Sequence, residues 1–329
     1  MQHLPARFPL AFLPTPIHEL KNLSALLGGP RILIKRDDQT GLAFGGNKTR
    51  KLEFVVAEAI RQGADTLLTT GAAQSNHCRQ TAAAACAAGL RCELILAGKK
   101  PERLQGNFFL DHLFKAQLHW QSASATEQEL ERLADVLRSE GYQPYIIPIG
   151  ASNALGSLGY VYAMQELQEQ MQTQHLSIDH IVFASCSGGT QAGMVLGSAL
   201  THFQGKILGI DIAPVSQFGN IYEEHLARLS NKTVEKLNIK KQFAPRDFSV
   251  NYDYLGEGYA IVGDLEREAI HLLAEKEGIL LDPIYTGRAF GGLLDLIRSK
   301  HFSTNETILF WHTGGAPALF AQTEAICTM

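Results

Sequence analysis

Short apolar runs alternate with longer helix-like segments through most of the chain, and this alternation constrains the fold more than any other feature. The runs DTLLTTG, CELILAG and HIVFAS are continuously apolar, whereas residues 52–60 repeat apolar side chains with the period of a helix that Gly63 would end. Strands that are joined through helices need crossover connections, which make the strands parallel. The pattern therefore predicts an α/β fold with mostly parallel sheets and helices on both faces.

The same reasoning assigns the other elements. We expect strands in 65–71, 92–98, 144–150, 206–212 and 307–312, helices in 79–89, 125–141, 154–171, 264–278 and 288–300, and a strand, loop and helix in 180–203. The length of 329 residues is enough for two domains, although no shift in composition marks a boundary between them.

The composition argues against several classes of function. A net charge of −4 without a basic cluster argues against a nucleic-acid partner. The opening MQHLPARFPLAFL is too short and too interrupted by proline for a signal peptide or membrane anchor, so we expect no membrane association. Five scattered cysteines without a CxxC pair favour reduced thiols and a cytoplasmic location. The 12 histidines form no HxxxH or HxxE set with a usable context, so no metal site is expected.

The segment SCSGGTQAG, residues 185–193, lies between a predicted strand and a helix of small residues. Gly188 and Gly189 allow backbone amides to turn inward, and Ser187 and Thr190 add hydroxyl donors at a helix N-terminus. Such a loop can bind a phosphate group without an arginine or lysine. An ordinary glycine turn is the alternative, and neither a GxGxxG nor a Walker pattern is present.

Lys48 stands at the entrance of the predicted helix in GGNKTRKLEF. A cation is slightly unfavourable there because a helix N-terminus carries partial positive charge. One interpretation is a solvated surface lysine. The other is a lysine whose pKa is lowered by partial desolvation, so that its amine can form a Schiff base.

The segment GAAQSNHCRQ, residues 71–80, places Ser75, Asn76 and His77 at a strand-to-helix turn. Free amides at such a turn can bind a carboxylate, and Ser75 can instead simply cap the helix. A hydrolase nucleophile with His77 as its base is a third possibility, but adjacent residues rarely orient for that transfer and the GxSxG elbow is absent.

Two further loops contain candidate polar residues near helix starts. Tyr285 and Thr286 follow a strand-like run in DPIYTGRAFGGL, and Thr313 precedes Gly-Gly in HTGGAPALF. A buried tyrosine is usually a core residue with a satisfied hydroxyl, and a threonine before Gly-Gly is usually a turn or cap residue.

Taken together, these loops resemble those of a known enzyme family in order and spacing. GGNKTRKLEF, QSNHCRQTAA, SCSGGTQAGM, LDPIYTGRAFGGL and HTGGAPALF resemble the pyridoxal-phosphate enzymes called D-cysteine desulfhydrases and the related 1-aminocyclopropane-1-carboxylate deaminases, over essentially the whole chain. The resemblance implies a two-domain, tryptophan-synthase-β-like fold (fold type II) with pyridoxal 5'-phosphate between the domains, and a homodimer. It also implies a small domain of 51–162 and a large cofactor-binding domain of 1–50 plus 163–329.

The resemblance assigns roles to the candidate residues. It implies that Lys48 holds the cofactor as a Schiff base, which removes the free ammonium from the helix start. The remaining assignments are the phosphate cup (Ser187, Gly188, Gly189, Thr190), the phenolic oxygen (Asn76), the ring nitrogen (Thr313), the substrate carboxylate (Ser75 with the amides of Asn76 and His77), further substrate contacts (Tyr285, Thr286), and active-site tyrosines that position substrate or pass protons (Tyr259, Tyr285).

The implied reaction is an α,β-elimination on a D-amino acid, which converts D-cysteine to pyruvate, ammonia and hydrogen sulfide. In the deaminases a glutamate follows the active-site tyrosine and a leucine precedes Gly-Gly, whereas this chain has Thr286 and Thr313. A threonine hydroxyl is a poor counter-ion for a protonated ring nitrogen, so a milder electron sink is expected and the desulfhydrase is favoured. The alternatives are the deaminase, another fold type II activity such as a serine dehydratase, racemase or cysteine synthase, and a non-catalytic binding protein.

Overall fold

The computed structural model describes residues 5–213 and 222–327. The strands are β1 (Ile17–Glu19), β2 (Arg31–Arg36), β3 (Thr66–Ala72), β4 (Arg91–Ala97), β5 (Gln117–Gln121), β6 (Pro144–Ile146), β7 (His180–Ser185), β8 (Lys206–Asp211), β9 (Ser249–Asn251) and β10 (Thr307–His312). The helices are α1 (Lys21–Leu27), α2 (Asn47–Arg61), α3 (Asn76–Ala88), α4 (Gly106–Leu113), α5 (Glu127–Ser139), α6 (Ala154–Thr173), α7 (Gly189–Thr201), α8 (Tyr222–Lys236), α9 (Asp264–Glu277), α10 (Thr286–Arg298) and α11 (Thr323–Cys327).

The strands form two sheets. A six-stranded sheet has the order β1-β2-β10-β7-β8-β9, and a four-stranded sheet has the order β5-β4-β3-β6. All neighbouring strands pair in parallel except β1, which is antiparallel to β2. The predicted α/β class with mostly parallel sheets is confirmed.

Helices cover both faces of the larger sheet, as continuous apolar strands require. Ile32 and Ile34 of β2 belong to the core cluster that contains α9 and α10, whereas Leu33 between them belongs to the cluster that contains α6. This alternation follows from the two-residue period of a strand. The smaller sheet has its own core, which is built mainly from β3, β4, α2 and α3.

Several elements differ from the sequence prediction. Helix α3 begins at Asn76 rather than at Arg79, because the side chain of Ser75 caps it by accepting a hydrogen bond from the amide of Cys78. The apolar run before Tyr285 is not a strand, although Ile279 and Leu281 are buried in the core.

A buried ionic network fixes the first turns of α2 to the larger sheet. Arg50 donates to both oxygens of Asp37, at 2.8 and 2.9 Å, and to both oxygens of Glu166 on α6, at 2.9 Å. Asp37 also accepts hydrogen bonds from the Tyr160 hydroxyl at 2.7 Å and the Trp311 indole at 2.8 Å. The network therefore connects α2, the end of β2, α6 and β10.

The predicted domain division stays a prediction. The strands of the smaller sheet all lie within the predicted small domain, and the predicted boundaries fall inside α2 and α6. Within residues 5–213 and 222–327, no helix is long and apolar enough to cross a membrane.

Candidate active site

A cavity of about 540 Å³ lies where the carboxyl ends of strands from both sheets meet. Its wall includes Ala72 at the end of β3, Ala97 at the end of β4, Ser185 at the end of β7 and Thr313 directly after β10. Ligands of parallel α/β proteins bind at this edge of a sheet.

Most residues that the sequence identified line this one cavity. They are Lys48, Ser75, Asn76, His77, Ser187, Gly188, Thr190, Tyr259, Tyr285 and Thr313. Residues separated by more than 200 positions in the chain thus face the same space. Gly189 and Thr286 do not line it.

Lys48 is the second residue of α2, and its amine points to neutral partners. Its Nζ donates to the side-chain oxygen of Asn47 at 3.0 Å, and the amide nitrogen of Asn47 donates to the Thr190 hydroxyl at 3.0 Å. Burial lowers the pKa of Lys48 to about 8, with a smaller contribution from the positive charge of Arg79, although Cys186 and the carboxylate of Asp282 act in the opposite direction. A substantial fraction of this amine is therefore neutral near pH 8 and can act as a nucleophile or a base.

The loop before α7 forms a cup with inward-facing donors. Gly188 has a φ of +87°, and a Cβ at this position would come within 3.0 Å of the His225 ring. The hydroxyls of Ser187 and Thr190 flank the N-terminus of α7. A helix N-terminus with free amides and adjacent hydroxyls is suited to a phosphate group.

The sequence analysis did not identify two residues that lie beside the cup, Lys51 and Ser152. Lys51 is fully buried, and its Nζ donates to the carbonyl of Gly150 at 3.1 Å and to Ser152 Oγ at 3.3 Å. Ser152 Oγ in turn lies 2.8 Å from Ser187 Oγ and accepts from the amide of Gly189 at 3.1 Å. Burial lowers the pKa of Lys51 well below its usual range, and a dianionic ligand in the cup would favour its charged form. The position of Lys51, one helical turn after Lys48, could have identified it as a candidate site residue from the sequence.

The turn at Ser75 presents backbone donors to the cavity. The amides of Asn76 and His77 belong to the first turn of α3 and so have no acceptor within the helix. The His77 ring points into the core, where its Nε2 lies 2.9 Å from the hydroxyl of Thr69. Burial lowers the pKa of His77 well below its usual range, so this ring is neutral and contributes no charge to the cavity.

Two tyrosines meet on the opposite wall. The hydroxyls of Tyr259 and Tyr285 form a hydrogen bond with each other. Burial raises the pKa of both tyrosines, so both are neutral phenols near neutral pH. Because only one of them donates in the shared bond, the donor of the other remains available to a ligand.

Thr286, expected from the sequence at the substrate, is engaged elsewhere. Its hydroxyl donates to the carboxylate of Asp282 at 2.7 Å and accepts from the amide of Asp282 at 2.8 Å. Asp282 also accepts from the amides of Ile284 and Tyr285, so it caps the start of α10. The threonine thus stabilises the turn that carries Tyr285 and does not reach the cavity.

Thr313, by contrast, lines the cavity as expected. Its carbonyl accepts the amide of Asn47 at 2.9 Å, which joins the loop after β10 to the start of α2. A Cβ at Gly314 would lie 2.7 Å from the Cα of Gly46, so the two loops require glycine at their contact.

The donor set fits pyridoxal phosphate. An amine of lowered pKa, a helix N-terminal cup with hydroxyls and a nearby lysine, and a separate pair of backbone amides face one cavity, which matches an aldehyde, a phosphate and a substrate carboxylate. Among the described residues, no group of three or more His, Cys, Asp or Glu side chains is arranged to hold a metal ion.

Comparison with known proteins identifies the class. The family model described as pyridoxal-phosphate dependent enzyme matches residues 9–314. The chain therefore belongs to this family, and the predicted fold type II and the predicted cofactor are confirmed.

Individual relatives narrow the comparison. A D-cysteine desulfhydrase of Klebsiella pneumoniae (strain 342) is 43% identical, with 96% of each chain covered. A D-cysteine desulfhydrase of Salmonella typhimurium (strain LT2) is also 43% identical, with 98% of each chain covered. A solved structure of an ACC deaminase homologue is 37% identical with a TM-score of 0.88, and covers 98% of this chain and 95% of its own. An O-ureido-L-serine synthase is 15% identical with a TM-score of 0.67, covering 94% and 92%, which shows a shared fold alone.

Proposed function

We propose that this enzyme catalyses α,β-elimination on a D-amino acid, and that its preferred substrate is D-cysteine. One D-cysteine and one water give pyruvate, ammonia and hydrogen sulfide, so the overall reaction includes a hydrolytic release of ammonia. The observation that carries the proposal is the Lys48 amine of lowered pKa in the cavity of a chain that is 43% identical to D-cysteine desulfhydrases over nearly its whole length.

Lys48 is the proposed cofactor attachment point and the general base. Its Nζ would hold the cofactor covalently and, once released by the substrate amine, would take the α-proton. When bound, pyridoxal phosphate supplies the electron sink for the charge left on the α-carbon. Asn47 orients Nζ by accepting its hydrogen bond at 3.0 Å.

The other cavity residues would bind and orient. Ser187, Gly188, Gly189 and Thr190 would hold the phosphate, with the charge of Lys51 one layer behind them. Ser75 and the amides of Asn76 and His77 would hold the substrate carboxylate.

The tyrosine pair and Thr313 would act on the other side of the substrate and cofactor. The free donor of the pair Tyr259 and Tyr285 would position the leaving group or deliver a proton to it. The hydroxyl of Thr313 would meet the ring nitrogen of the cofactor.

Deamination of 1-aminocyclopropane-1-carboxylate is the second candidate, because the solved ACC deaminase homologue superposes with a TM-score of 0.88. That substrate has no hydrogen on its α-carbon, so a base that takes an α-proton cannot start its reaction. Thr313 lines the cavity, and at its proposed place by the ring nitrogen it would provide a neutral hydroxyl rather than a carboxylate, which would favour elimination of a good leaving group.

A substrate comparison tests the proposal. Steady-state kinetics with D-cysteine, L-cysteine, both enantiomers of serine and 1-aminocyclopropane-1-carboxylate should give the highest kcat/KM for D-cysteine, with pyruvate and sulfide released in equal amounts. A higher kcat/KM for the cyclopropane amino acid would establish the deaminase instead, and preference for L-serine would establish a dehydratase.

We also propose a homodimer in the cytoplasm. The resemblance to the desulfhydrase and deaminase family supports the dimer, and scattered cysteines without a disulfide support a reducing compartment. Light scattering on the purified protein at several concentrations measures the first, and cell fractionation measures the second.

A further inference from the structure

Asn107 is a fully buried residue of α4 that does not line the cavity, yet it contacts a residue that does. We propose that Asn107 is a positioning residue that orients the side-chain amide of Asn76, so that its NH2 group rather than its oxygen faces the bound cofactor. This inference rests on the proposed contact between Asn76 and the phenolic oxygen of pyridoxal phosphate.

The orientation of Asn107 is fixed by a backbone group. Its Nδ2 lies 2.8 Å from the carbonyl oxygen of Gln74, and a carbonyl oxygen can only accept. The atom facing that carbonyl must therefore be nitrogen. The Oδ1 of Asn107 is buried without a partner among the described residues, so the donor contacts of Nδ2 and not those of the oxygen select the orientation.

The same nitrogen then determines the orientation of Asn76. Its second hydrogen points to the side-chain oxygen of Asn76 at 2.9 Å. Turning the Asn76 amide around would place two NH2 groups against each other and leave that hydrogen without an acceptor. With its oxygen occupied, Asn76 presents its Nδ2 to the cavity that it lines.

Asn107 is itself held rigidly against the turn after β3. Its backbone amide donates to Gln74 Oε1 at 2.9 Å, and Gln74 Nε2 donates to the carbonyl of Gln105 at 3.1 Å. A Cβ at Gly106, whose φ is +57°, would lie 2.3 Å from Gln74 Oε1, so α4 starts in close contact with this turn. The contact is therefore preorganised before any ligand binds.

The chemical consequence concerns the proton affinity of the cofactor. A donor beside a phenolic oxygen stabilises its ionised form and lowers the pKa of the bound chromophore. In Asn107→Asp the new carboxylate can only accept, so Asn76 turns its NH2 toward position 107 and its oxygen toward the cavity. The pH midpoint of the visible absorbance band should then rise by about one unit, and cofactor affinity should fall roughly tenfold.

The test is a double-mutant cycle on the cofactor-loaded protein, read by absorbance against pH and by the dissociation constant of pyridoxal phosphate. Asn107→Ala and Asn76→Ala should each raise the midpoint, and the double variant should titrate like Asn76→Ala alone, since neither substitution adds a charge. Additive shifts would overturn the positioning role, because Asn107 would then act independently of Asn76. If Asn107→Ala does not fold, Asn107→Asp provides a second measurement, in which a midpoint equal to that of the unmodified protein would overturn the positioning role.

A matched control separates local from general effects. Asn231 on α8 also binds backbone groups, donating to the carbonyl of Phe243 at 3.0 Å and accepting its amide at 2.8 Å, but it lies outside the cavity wall. Asn231→Asp should leave the midpoint unchanged. If Asn76→Ala itself leaves the midpoint unchanged, both the proposed cofactor contact and the role of Asn107 are wrong. If only the Asn107 variants leave it unchanged, the cofactor contact stands and the positioning role is wrong.

Discussion

Lys48 and Arg50 are cations two residues apart at the start of one helix, and their surroundings give them opposite properties. Arg50 is 2% exposed and pairs with Asp37 and Glu166, which raise its pKa despite the opposing effect of burial. Lys48 donates to a neutral amide oxygen, and burial lowers its pKa to about 8.

The difference shows how one turn of helix can combine anchoring with reactivity. Arg50 is buried and Lys48 is partly buried, but only Arg50 forms ion pairs with carboxylates. Those pairs, together with the higher intrinsic pKa of a guanidinium, keep Arg50 charged where the amine of Lys48 loses part of its charge. The paired arginine holds α2 to β2 and α6, so the amine two residues earlier is held in place without a counter-ion of its own.

The largest effect is expected when Lys48, the reactive residue of the two, is replaced. Lys48→Ala should lower kcat/KM for D-cysteine by at least about 10²–10⁴-fold, because no other group replaces the base. It should also abolish the visible absorbance of the cofactor adduct and the permanent attachment of the cofactor after borohydride reduction. Lys100→Ala, at an exposed position, should change neither measurement. A retained adduct in the Lys48 variant would show that another residue holds the cofactor.

Replacement of Arg50, which anchors α2, should lower the stability of the protein. Arg50→Met leaves Asp37 and Glu166 buried with less positive charge, which should lower the free energy of unfolding by about 3–5 kcal/mol. Arg61→Met on the same helix removes an exposed pair with Glu58, where Arg61 is 70% exposed, and should lower stability far less than Arg50→Met because solvent screens the pair. Urea denaturation of both variants measures the contrast, and equal losses would contradict it.

Acid should weaken the ion pair between Arg50 and Asp37 within a defined pH range. The Arg50 guanidinium lowers the pKa of Asp37 from 3.8 to about 2 despite its burial. A depressed carboxyl pKa contributes stability above the unfolded value, and this contribution is lost as the pH falls from about 4 to about 2. The loss should be about 2 kcal/mol, measured by urea denaturation across this range. Asp37→Asn should flatten the curve there, and an unchanged slope would assign the acid sensitivity to other carboxyls.

The smallest effect is expected from a glycine substitution that compares the cup at Gly188 with an ordinary turn at Gly63. Gly188→Ala and Gly63→Ala both place a side chain at positive φ, at +87° and +77°, which costs about 1 kcal/mol each. Only at Gly188 does the new Cβ meet a neighbour, the His225 ring at 3.0 Å. Affinity for pyridoxal phosphate should therefore fall in Gly188→Ala alone, as measured by equilibrium titration. A similar loss in Gly63→Ala would mean that global stability controls binding.

Local patterns were enough for the sheet class and for most of the cavity wall. Continuous apolar runs identified β3, β4, β7, β8 and β10, and Lys48, Ser75 and Tyr285 are all on the wall that their motifs predicted. The edge strands β1, β5 and β9 were not identified, since strands of three to five residues with exposed positions give no clear period. The interior strand β2 was also not identified, because charged residues flank its short apolar run of Ile32, Leu33 and Ile34.

Residues that depend on a distant partner were the ones that sequence reasoning could not place. Lys51 is linked to the cup through Gly150 and Ser152, which lie 99 and 101 positions away in the chain. Asn107 meets Asn76 across 31 positions. Thr286 was expected at the substrate, but its nearest partner, Asp282, is four positions away and captures its hydroxyl.

The buried amine of Lys51 has a consequence for the stability of the cofactor-free protein. Before the coenzyme binds, this amine either carries a charge with only neutral oxygens around it or gives up its proton, and both states cost folding free energy. A phosphate dianion recovers that energy, and any ligand of the native state protects it by mass action. We therefore expect the cofactor-loaded protein to resist unfolding and proteolysis better than the cofactor-free protein.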